Sequence, residues 1–483
     1  MSRRWGRMVS LVAVAAWIGT AWWQTHKSLP PGMHSASAVC TVTAQEVSFL
    51  ADISAADAYG RAVLSQGIFD EVLRVVHGAR QFIVLDYQLL LGADAADSRP
   101  QRRLAAELTD ALLEQRRVHP AIQVLFITDP VNERYGAAPS PQFELLRAAG
   151  VTVVRTNLDA LRDPNFMYSS LWRLTLHWWG GPPGRLGILA RQLNFKSNHR
   201  RVIIADDGRG ALAAVVGSAN PVDQQSAWSN TALRFGGGSV RTLLASELAI
   251  ARFSGWHGDA AAFGPPANAA SACDAVAPAE PTATQARVQV LTEGAIRREL
   301  LEQLGAAVNG DFVDFALFKL ADRGVIEALL QAARRGVRVR LILDPSEDAT
   351  TATPSGLPNQ PLASELVSRS AGAIRVRWYR THGERFHSAL AMVYGAERLW
   401  LLGGSANFTR RSLSDYDLDA DLAVGLTRDA PLAQQTLEYF DTLWSNRAAL
   451  GIEYTADFAS FADPSQADYW LCRLLEGAGL VAF

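Results

Sequence analysis

The sequence predicts an α/β protein made of two similar lobes, each a mixed β-sheet flanked by helices. The chain has 483 residues, which exceeds one ordinary domain and favours at least two folded units. Helical patterns alternate with short apolar runs in both halves, as in α/β sandwiches. The same elements also recur in the same order, which indicates an internal duplication. Hydrophobic residues make up 49% and charged residues 19%, a composition that excludes a disordered chain.

The chain begins with arginines followed by an apolar run. Three arginines precede the stretch from Met8 to His26, which contains no Asp, Glu, Lys or Arg. As a helix this stretch is about 28 Å long, close to one hydrocarbon core. We expect residues 1–26 to form an uncleaved membrane anchor, although a signal peptide or a short core helix would also fit. An anchor or a signal peptide predicts that the body is exported, to the periplasmic side if the protein is bacterial.

The three cysteines and the net charge set limits on cofactors and partners. Cys40, Cys273 and Cys472 lie near the start, the middle and the end of the chain. An oxidising compartment would permit one disulfide and leave one free thiol. No pair has the spacing of a metal site, so we expect no structural zinc. The formal net charge of -2 shows no global basic excess, and charge alone therefore selects no substrate.

The first lobe is predicted for residues 27–263. A helical pattern from Gly67 to Arg80 leads into the apolar run QFIVLDYQLLL. The helical pattern RLAAELTDALLEQRR then precedes the strand-like IQVLFITDP, which ends at Asp129-Pro130. VTVVR follows, and after it come a histidine, another apolar strand and the tetrapeptide Gly-Ser-Ala-Asn.

The second lobe, predicted for residues 287–483, repeats this order. Its segments are IRRELLEQLGAAVNG, DFVDFALFKL, VIEALLQAARRG and VRVRLILDP, the last of which ends at Asp344-Pro345. IRVRW, a histidine, a strand and a second Gly-Ser-Ala-Asn follow. Between the lobes, residues 264–286 are rich in Ala, Pro and Thr, which is typical of a linker.

The first lobe contains an aromatic insertion that the second lobe lacks. Asp129 and His199 are 70 positions apart, whereas Asp344 and His387 are 43 positions apart. The additional residues include FMYSSLWRLTLHWWGGPPGRLGIL. Such a segment could form a wedge or wall that contacts lipid headgroups or acyl chains. It could equally be a loop packed on the protein's own surface.

Each lobe carries one copy of a two-part motif. The first copy, NHRRVIIAD, contains His199, Arg201 and Asp206 and is followed by Gly217-Ser218-Ala219-Asn220. The second, FHSALAMVY, contains His387, Ala389 and Tyr394 and is followed by Gly404-Ser405-Ala406-Asn407. These copies resemble the His-x-Lys-x4-Asp and Gly-Ser-x-Asn motifs of the phospholipase D superfamily, which includes cardiolipin synthases. The resemblance extends over roughly residues 45 to 475.

A pair of histidines suits the chemistry of a phosphodiester. Imidazole can attack phosphorus when neutral and can donate a proton when charged. The resemblance implies that the lobes meet around the active site, that His199 is the nucleophile forming a phosphohistidine, and that His387 protonates the leaving alcohol. Charge on the phosphate oxygens requires fixed donors, and the predicted phosphate-binding residues are Ser218, Asn220, Ser405 and Asn407. The scheme requires no metal and no other cofactor.

The two copies depart from the family motif in different ways. The family lysine is Arg201 in the first copy, where a planar fork replaces a point charge, and Ala389 in the second, where no charge remains. The motif Asp is present as Asp206, which could instead cap the strand end, and it is replaced by Tyr394 in the second copy. The two asparagines of the Gly-Ser-Ala-Asn copies could likewise serve only as turn residues.

An acidic residue that orients a catalytic histidine often follows Gly-Ser-x-Asn in this family. The segment DYDLDADLAV offers Asp419 or Asp417 in the second lobe, whereas SNTALRF in the first lobe offers Ala232. We therefore expect an asymmetric site with catalytic residues His199, His387, Arg201, Asp206 and Asp419. The first copy would hold the better phosphate clamp and the second the better acidic orienter.

Together these features predict a membrane-associated phosphodiesterase or phosphatidyltransferase that acts on phospholipids. The expected partners are a phospholipid substrate and a membrane, and not a nucleic acid. One alternative is an exported nuclease of the same superfamily, which would need a basic, aromatic-lined groove that the sequence does not indicate. The other is a catalytically weakened relic that binds phosphate or lipid. The motifs are compatible with hydrolysis and with transfer. They do not indicate an oligomeric state.

Overall fold

The structure is a computed structural model that describes residues 2–92, 102–179, 184–264, 273, 281–347, 355–447 and 451–480. Its helices and strands form two mixed β-sheets with helices packed on them, which confirms the predicted α/β class. Most of the predicted linker, residues 265–272 and 274–280, lies outside the described residues. The lobe boundaries predicted from the sequence stay a prediction.

Helices and strands alternate along the chain from the N-terminus to residue 253. In chain order they are α1 (Ser2–His26), β1 (Cys40–Thr43), β2 (Val47–Ala56), β3 (Ala62–Ser65), α2 (Ile68–Gly78), β4 (Phe82–Tyr87), α3 (Leu104–Val118), β5 (Gln123–Thr128), α4 (Pro141–Ala148), β6 (Thr152–Arg155), α5 (Phe166–Leu174), α6 (Gly184–Gln192), β7 (Arg201–Asp206), β8 (Leu212–Gly217), β9 (Ser229–Gly236) and α7 (Ser239–Phe253).

The remaining elements repeat this alternation. They are β10 (Gln285–Thr292), α8 (Gly294–Ala306), β11 (Phe312–Leu317), α9 (Arg323–Arg334), β12 (Arg338–Leu343), α10 (Asn359–Arg369), β13 (Ile374–Tyr379), β14 (Phe386–His387), β15 (Ala389–Tyr394), β16 (Arg398–Gly404), α11 (Arg410–Leu413), β17 (Ala420–Thr427), α12 (Pro431–Ser445), β18 (Thr455–Asp457) and α13 (Gln466–Ala478).

The two sheets have the same strand order. The first contains the path β2-β9-β8-β7-β4-β5-β6, and the second contains β10-β17-β16-β15-β11-β12-β13. In the first sheet β4 pairs in parallel with β5 and antiparallel with β7, the strand of the first motif. In the second sheet β11 pairs in the same way with β12 and with β15, the strand of the second motif. This correspondence confirms the pseudo-symmetric arrangement predicted from the repeat.

Burial on both faces explains the apolar character of the central strands. Every residue of β4, β7, β8 and β15 is buried, as expected for strands covered on two sides. Helices α2 and α3 pack on the outer face of the first sheet, and α8 and α9 pack on the outer face of the second. A further core between the sheets contains side chains from both of them and from α7 and α12. The two lobes therefore share the core between the sheets, and each has a second core under its outer helices.

Short segments cross between the sheets. β1 pairs with β10 of the second sheet, although it precedes the first lobe's strands. β14 pairs in parallel with β9 of the first sheet, although it belongs to the second half. Cys40 and Cys273 form a disulfide, and Cys472 is a buried free thiol, as the predicted count of one bridge and one free cysteine allows.

Helix α1 covers the apolar N-terminal run and packs on α5 of the aromatic insertion. Ala21 and Thr25 are buried, and the Ser170 hydroxyl donates to the Trp17 carbonyl. Within the part of the chain that is described, no helix has both the length and the apolar character needed to cross a membrane. The spanning role predicted for this segment is therefore not confirmed.

The aromatic insertion forms α5 and α6. Trp172 is buried and its indole nitrogen faces Asp159, as expected for packing on the protein's own surface. Met167 and Leu186 are about 70% exposed, as expected for a surface that contacts lipid. Packing on the protein's own surface thus holds for Trp172, whereas contact of the insertion with lipid stays a prediction. The side chains of Trp178 and Trp179, and residues 180–183, lie outside the described part.

Candidate active site

Each motif histidine is positioned by backbone pairing with the opposite lobe. The His199 amide donates to the Leu418 carbonyl at 2.9 Å, next to β17 of the second sheet. His387 lies on β14 and pairs with Asn230 on β9 of the first sheet. Because these contacts are equivalent in the repeat, the two histidines enter the lobe interface from opposite sides. The predicted location of the site between the lobes follows from this geometry.

The repeated Asp-Pro dipeptides hold the backbone just before each histidine. The Asp129 carboxylate accepts from the amides of Val131 and Asn198, each at 2.8 Å. Asp344 accepts from Ser346 at 2.7 Å and Phe386 at 2.9 Å in the second lobe. Burial raises the pKa of Asp129 to about 7 and that of Asp344 to about 6. These carboxyl groups, which stand at equivalent places of the sequence repeat, therefore position the backbone of the two motif histidines.

His199 is held between a carboxylate and a guanidinium. Arg201 Nη2 lies 2.9 Å from His199 Nε2, and because arginine can only donate, Nε2 accepts this bond. The other ring nitrogen, Nδ1, then carries the hydrogen of a neutral ring and donates to Asp419 Oδ1 at 2.9 Å. Burial, followed by the charge of Arg201, lowers the pKa of His199, while Asp419 opposes the shift. His199 is thus a neutral imidazole near pH 7.

His387 has an uncharged partner in the corresponding place. Its Nδ1 lies 3.0 Å from Asn230 Oδ1. The Asn230 amide nitrogen donates to the Trp228 carbonyl at 3.1 Å, which leaves Oδ1 as the acceptor facing the imidazole. Burial and the nearby charges of Arg201 and Arg385 lower the pKa of His387 well below its usual value. The two half-sites therefore differ in the charge of the group that orients the histidine.

Both histidines line one cavity of about 230 Å³ between the lobes. Its wall includes three other residues predicted for the site, namely Arg201, Asn220 and Asn407. A second cavity of about 200 Å³ adjoins the first at His199 and Asn407. The sequence prediction of these five residues at one site thus agrees with where their side chains lie. Burial lowers the pKa of Arg201 to about 10, which leaves it charged near pH 7.

The two motif serines support the histidine partners and do not line the cavity between the histidines. The Ser405 hydroxyl donates to Asp419 Oδ1 at 2.8 Å and accepts from the Ala420 amide at 3.0 Å. The Ser218 hydroxyl donates to Asn230 Oδ1 at 3.1 Å. Because these hydroxyls are engaged with the orienting side chains, the expected direct phosphate contact of Ser218 and Ser405 is replaced by a positioning role.

Asp206 does not reach the cavity. It lies at the far end of β7, where its carboxylate accepts from the backbone amides of Arg80, Gln81 and Phe82 at 2.8 to 3.2 Å. Tyr394, at the equivalent position of β15, donates to Asp314 at 2.7 Å. The catalytic role predicted for Asp206 is corrected by this position, since Asp206 ends the six-residue strand β7 whose other end lies next to His199. The strand-capping alternative fits the contacts.

Sequence reasoning missed Asn230 because the loops of the two lobes differ in length. Ala232 follows Gly217 by the same number of residues as Asp419 follows Gly404. In the sheets, however, Gly217 pairs with Ala232 and Gly404 pairs with Asp421. The true counterpart of Asp419 is therefore Asn230. Aligning the strands β9 and β17 by their apolar alternation could have found it.

Other cavity residues carry no motif that the sequence could have signalled. Gln88 follows β4, and its side-chain oxygen accepts from Arg201 at 3.2 Å. Trp228 and Phe318 pack against the His387 ring, with centroids 5.3 and 4.7 Å away. Lys319 and Arg385 lie in the same wall. These residues come from separate loops and converge only in the folded chain.

The arrangement can bind an oxyanion between two imidazoles. Arg201 supplies charge, and the side-chain amides of Asn220 and Asn407 supply donors. Two neutral imidazoles that face one cavity can act as a nucleophile and, once protonated, as an acid. In the described parts of the chain, no group of three or more His, Cys, Asp or Glu side chains is arranged to hold a metal ion.

Comparisons with known proteins bear on the fold and on the second half of the chain. The family model "Cardiolipin synthase, PLD-like domain" matches residues 300–444, which contain His387 and Asp419. Phosphatidylserine synthase from Haemophilus influenzae Rd KW20 has a similar fold, with a TM-score of 0.57 and 10% identity over 95% of this chain and 97% of that chain. No curated protein sequence matches this chain.

Two further solved structures resemble parts of the chain more distantly. Polyphosphate kinase from Porphyromonas gingivalis has a TM-score of 0.44 and 13% identity, over 90% of this chain and 55% of that chain. Nuc, a phospholipase D family member from Salmonella typhimurium, has a TM-score of 0.27 and 20% identity, over 36% of this chain and 97% of that chain. Neither score carries an argument about this chain.

Proposed function

Because the chain is a member of the phospholipase D superfamily, we propose that it cleaves or exchanges the phosphodiester of phospholipid headgroups. The observation that carries the proposal is the histidine pair, since His199 and His387 come from opposite lobes and line one cavity. Arg201 and two asparagines lie beside them, as the developing charge of a phosphoryl-transfer reaction requires.

In the proposed first step, His199 Nε2 attacks the phosphorus. A bond forms between nitrogen and phosphorus, and the bond from phosphorus to the leaving alcohol oxygen breaks. His387, in its protonated form, donates a proton to that oxygen. Because Nε2 accepts from Arg201 at rest, attack requires this guanidinium to transfer its hydrogen bond to a phosphate oxygen. The product is a phosphohistidine and a free alcohol.

In the proposed second step, water or an alcohol attacks the phosphorus and the His199 imidazole is the leaving group. His387, now neutral, removes a proton from water or from an alcohol as its oxygen attacks the phosphorus. The bond between phosphorus and Nε2 breaks, and His199 returns to its neutral state while its Nδ1 hydrogen bond to Asp419 is retained. Water gives hydrolysis, and an alcohol gives phosphatidyl transfer.

Exposed apolar side chains support a lipid substrate and association with a membrane. On α1, Leu11 and Val12 are more than 60% exposed, and on the adjacent α5 Met167 is 70% exposed. Apolar side chains of this kind partition into the interfacial region of a bilayer. The description of the matching family model as a cardiolipin synthase domain also favours a phospholipid. The Cys40–Cys273 disulfide supports export of the body to an oxidising compartment.

A nuclease is the second candidate, favoured by one feature of the cavity. Trp228 and Phe318 lie beside Arg385 and Lys319, and aromatic rings next to cations are typical of single-strand binding. The sequence did not indicate this combination. We rank phospholipid above nucleic acid because the exposed apolar side chains on α1 and α5 have no role in a nuclease.

Two substrates tested in parallel distinguish the candidates. The full chain is incubated with phosphatidylglycerol vesicles or with single-stranded DNA, and the products are separated. We expect release or exchange of glycerol headgroups, and an at least 1,000-fold loss of rate in His199→Ala, on the order of the loss when a nucleophile is removed. The exposed His77 provides a matched control, so that His77→Ala should retain full activity. Cleavage of DNA alone would refute the phospholipid proposal.

A further inference from the structure

Two cations line the cavity on the side of His387, where the motif lysine is replaced by Ala389. Lys319 lies two residues after β11, and Arg385 lies two residues before His387. Both line the cavity that contains the two histidines. Since Ala389 carries no charge, these side chains are the source of positive charge in this half of the site.

Aromatic rings place both cations near the His387 imidazole. The Phe318 ring packs on the His387 ring, and its centroid lies 5.1 Å from Lys319 Nζ and 5.7 Å from the Arg385 guanidinium carbon. The Trp228 ring also contacts His387, and its centroid lies 5.0 Å from that guanidinium carbon. Each cation thus contacts an aromatic ring that also packs on the proposed acid.

These cations belong to the second half-site alone. The residues at the equivalent positions of the first lobe are Leu89 and Ser197, and neither carries charge. In the first lobe the charge comes from Arg201 on the motif strand itself. The second lobe therefore presents its charge from two loops that flank the motif strand, and the sequence motif alone does not reveal it.

The charges that line the cavity favour an anion. Among the described residues of its wall, the cations are Arg201, Lys319 and Arg385, and the carboxylate is Asp344. Both Asp344 oxygens accept backbone amide hydrogen bonds, which offset part of its charge. A cavity with excess positive charge and low solvent exposure attracts an anion strongly.

We infer that Lys319 and Arg385 bind the non-bridging oxygens of the substrate phosphodiester in place of the lysine that the second motif lacks. This inference rests on the proposed function and extends it. A tetrahedral oxyanion would be contacted by Arg201 from the His199 side and by these two cations from the His387 side. The bound anion would also offset the cations that hold His387 neutral, and His387 would then gain the proton that it donates. Lys319 and Arg385 thus supply the positive charge that Ala389 cannot supply in the second half-site.

The environment of Lys319 gives the inference a pH signature. Burial, and then the charges of Arg385 and Arg411, lower the pKa of Lys319 to about 7, while Asp344 opposes the shift. His387 also faces this group, and its own pKa is well below 6.5. Between pH 6.5 and about 8.5 Lys319 therefore loses its charge, while Asp344 and, in the adjoining cavity, Asp129 complete their ionisation. Binding of a dianion should weaken over this range.

Sulfate provides a direct test because it stays a dianion over this range and needs no turnover. Its dissociation constant for the full chain is measured by calorimetry in the native protein and in variants. Lys319→Met and Arg385→Met should each weaken binding about tenfold or more, as loss of a charge-assisted hydrogen bond predicts. Adding Ala389→Lys to Lys319→Met should restore most of the affinity. The exposed Arg334 is the matched control, and Arg334→Met should bind sulfate as the native protein does.

Lys319→Arg guards against a folding artefact. Arginine stays charged over this range, so Lys319→Arg should bind sulfate more tightly than Lys319→Met and should lose less affinity than the native protein as pH rises. Native affinity in both methionine variants, or no sulfate binding by the native protein, would overturn the inference. If sulfate binding depends on Lys319 and Arg385 but no phospholipid is turned over, the proposed function fails and the anion site stands. If lipid is turned over and the variants bind sulfate normally, the proposed function stands and the anion site fails.

Discussion

At the scale of single residues, the difference between Asp419 and Asn230 sets the properties of the two histidines. Asp419 is a carboxylate partner that stabilises a positive charge on His199, as the proposed phosphohistidine requires. Asn230 is neutral and gives His387 orientation without charge. Burial and the nearby cations lower the pKa of His387 well below its usual value, so its imidazolium form is scarce until a substrate anion binds.

Asn230→Asp should move the pH dependence of the reaction. A carboxylate stabilises the imidazolium and raises the pKa of His387. The protonated acid is lost as pH rises through that pKa, and the high-pH limb of the activity should therefore shift upward by about one unit. The pH profile of headgroup release checks this. Asn230→Ala, which adds no charge, should leave the limb at or below its native position, and an unshifted limb in Asn230→Asp would contradict the assigned acid.

The sequence could predict the residues that carry the motifs but not those that complete them. His199, His387, Asn220 and Asn407 follow from a pattern repeated in both halves. Asn230 was missed because a loop two residues longer in the second lobe shifts the count. Lys319 and Arg385 were missed because no spacing relates loops that meet only after the lobes associate.

At the scale of elements, the segment after His199 joins the lobes through a buried ion network. The guanidinium of Arg200 is fully buried and donates to Glu247 on α7 at 2.9 Å and to Glu293, just before α8, at 2.6 Å. Because α7 and α8 belong to different halves, the Arg200 side chain connects them next to His199, the proposed nucleophile. The adjoining Asn198 donates to Asp86 on β4.

Arg200→Met should strongly destabilise the fold. It leaves two buried carboxylates without their partner, and breaking a buried pair in this way costs about 3 to 5 kcal/mol of unfolding free energy. Urea denaturation measures the loss. Arg117 forms an exposed ion pair with Glu114 on α3, and Arg117→Met should leave the urea midpoint unchanged. A loss below about 1 kcal/mol in Arg200→Met would contradict the proposed role of this network.

The sequence predicted the long strands better than the two short strands that pair with the sheet of the other half. Long apolar runs such as those of β4 and β5 predicted the correct element type because burial on both faces leaves a clear pattern. β1 and β14 have four and two residues, too few to show a period. Their pairing with the opposite sheet depends on how the lobes dock, which local sequence does not encode.

At the scale of the whole molecule, duplication produces one site from two halves. Each histidine takes its backbone position and its Nδ1 partner from the other lobe. Neither lobe alone therefore contains a complete half-site. The aromatic insertion and α1 pack on each other and break the symmetry, which brings the exposed side chains of Leu11, Val12 and Met167 to the first half of the chain.

The most direct measurement is the identity of the residue that becomes covalently modified. An activated phosphodiester with a p-nitrophenol leaving group needs little acid catalysis, so His387→Ala should accumulate the intermediate in a single turnover. Mass spectrometry of the acid-sensitive adduct, kept at neutral pH, then locates the phosphoryl group. We predict modification at His199 in the His387→Ala variant and none in His199→Ala. An adduct at His387 in the His199→Ala variant, or turnover without any adduct, would contradict the proposed mechanism.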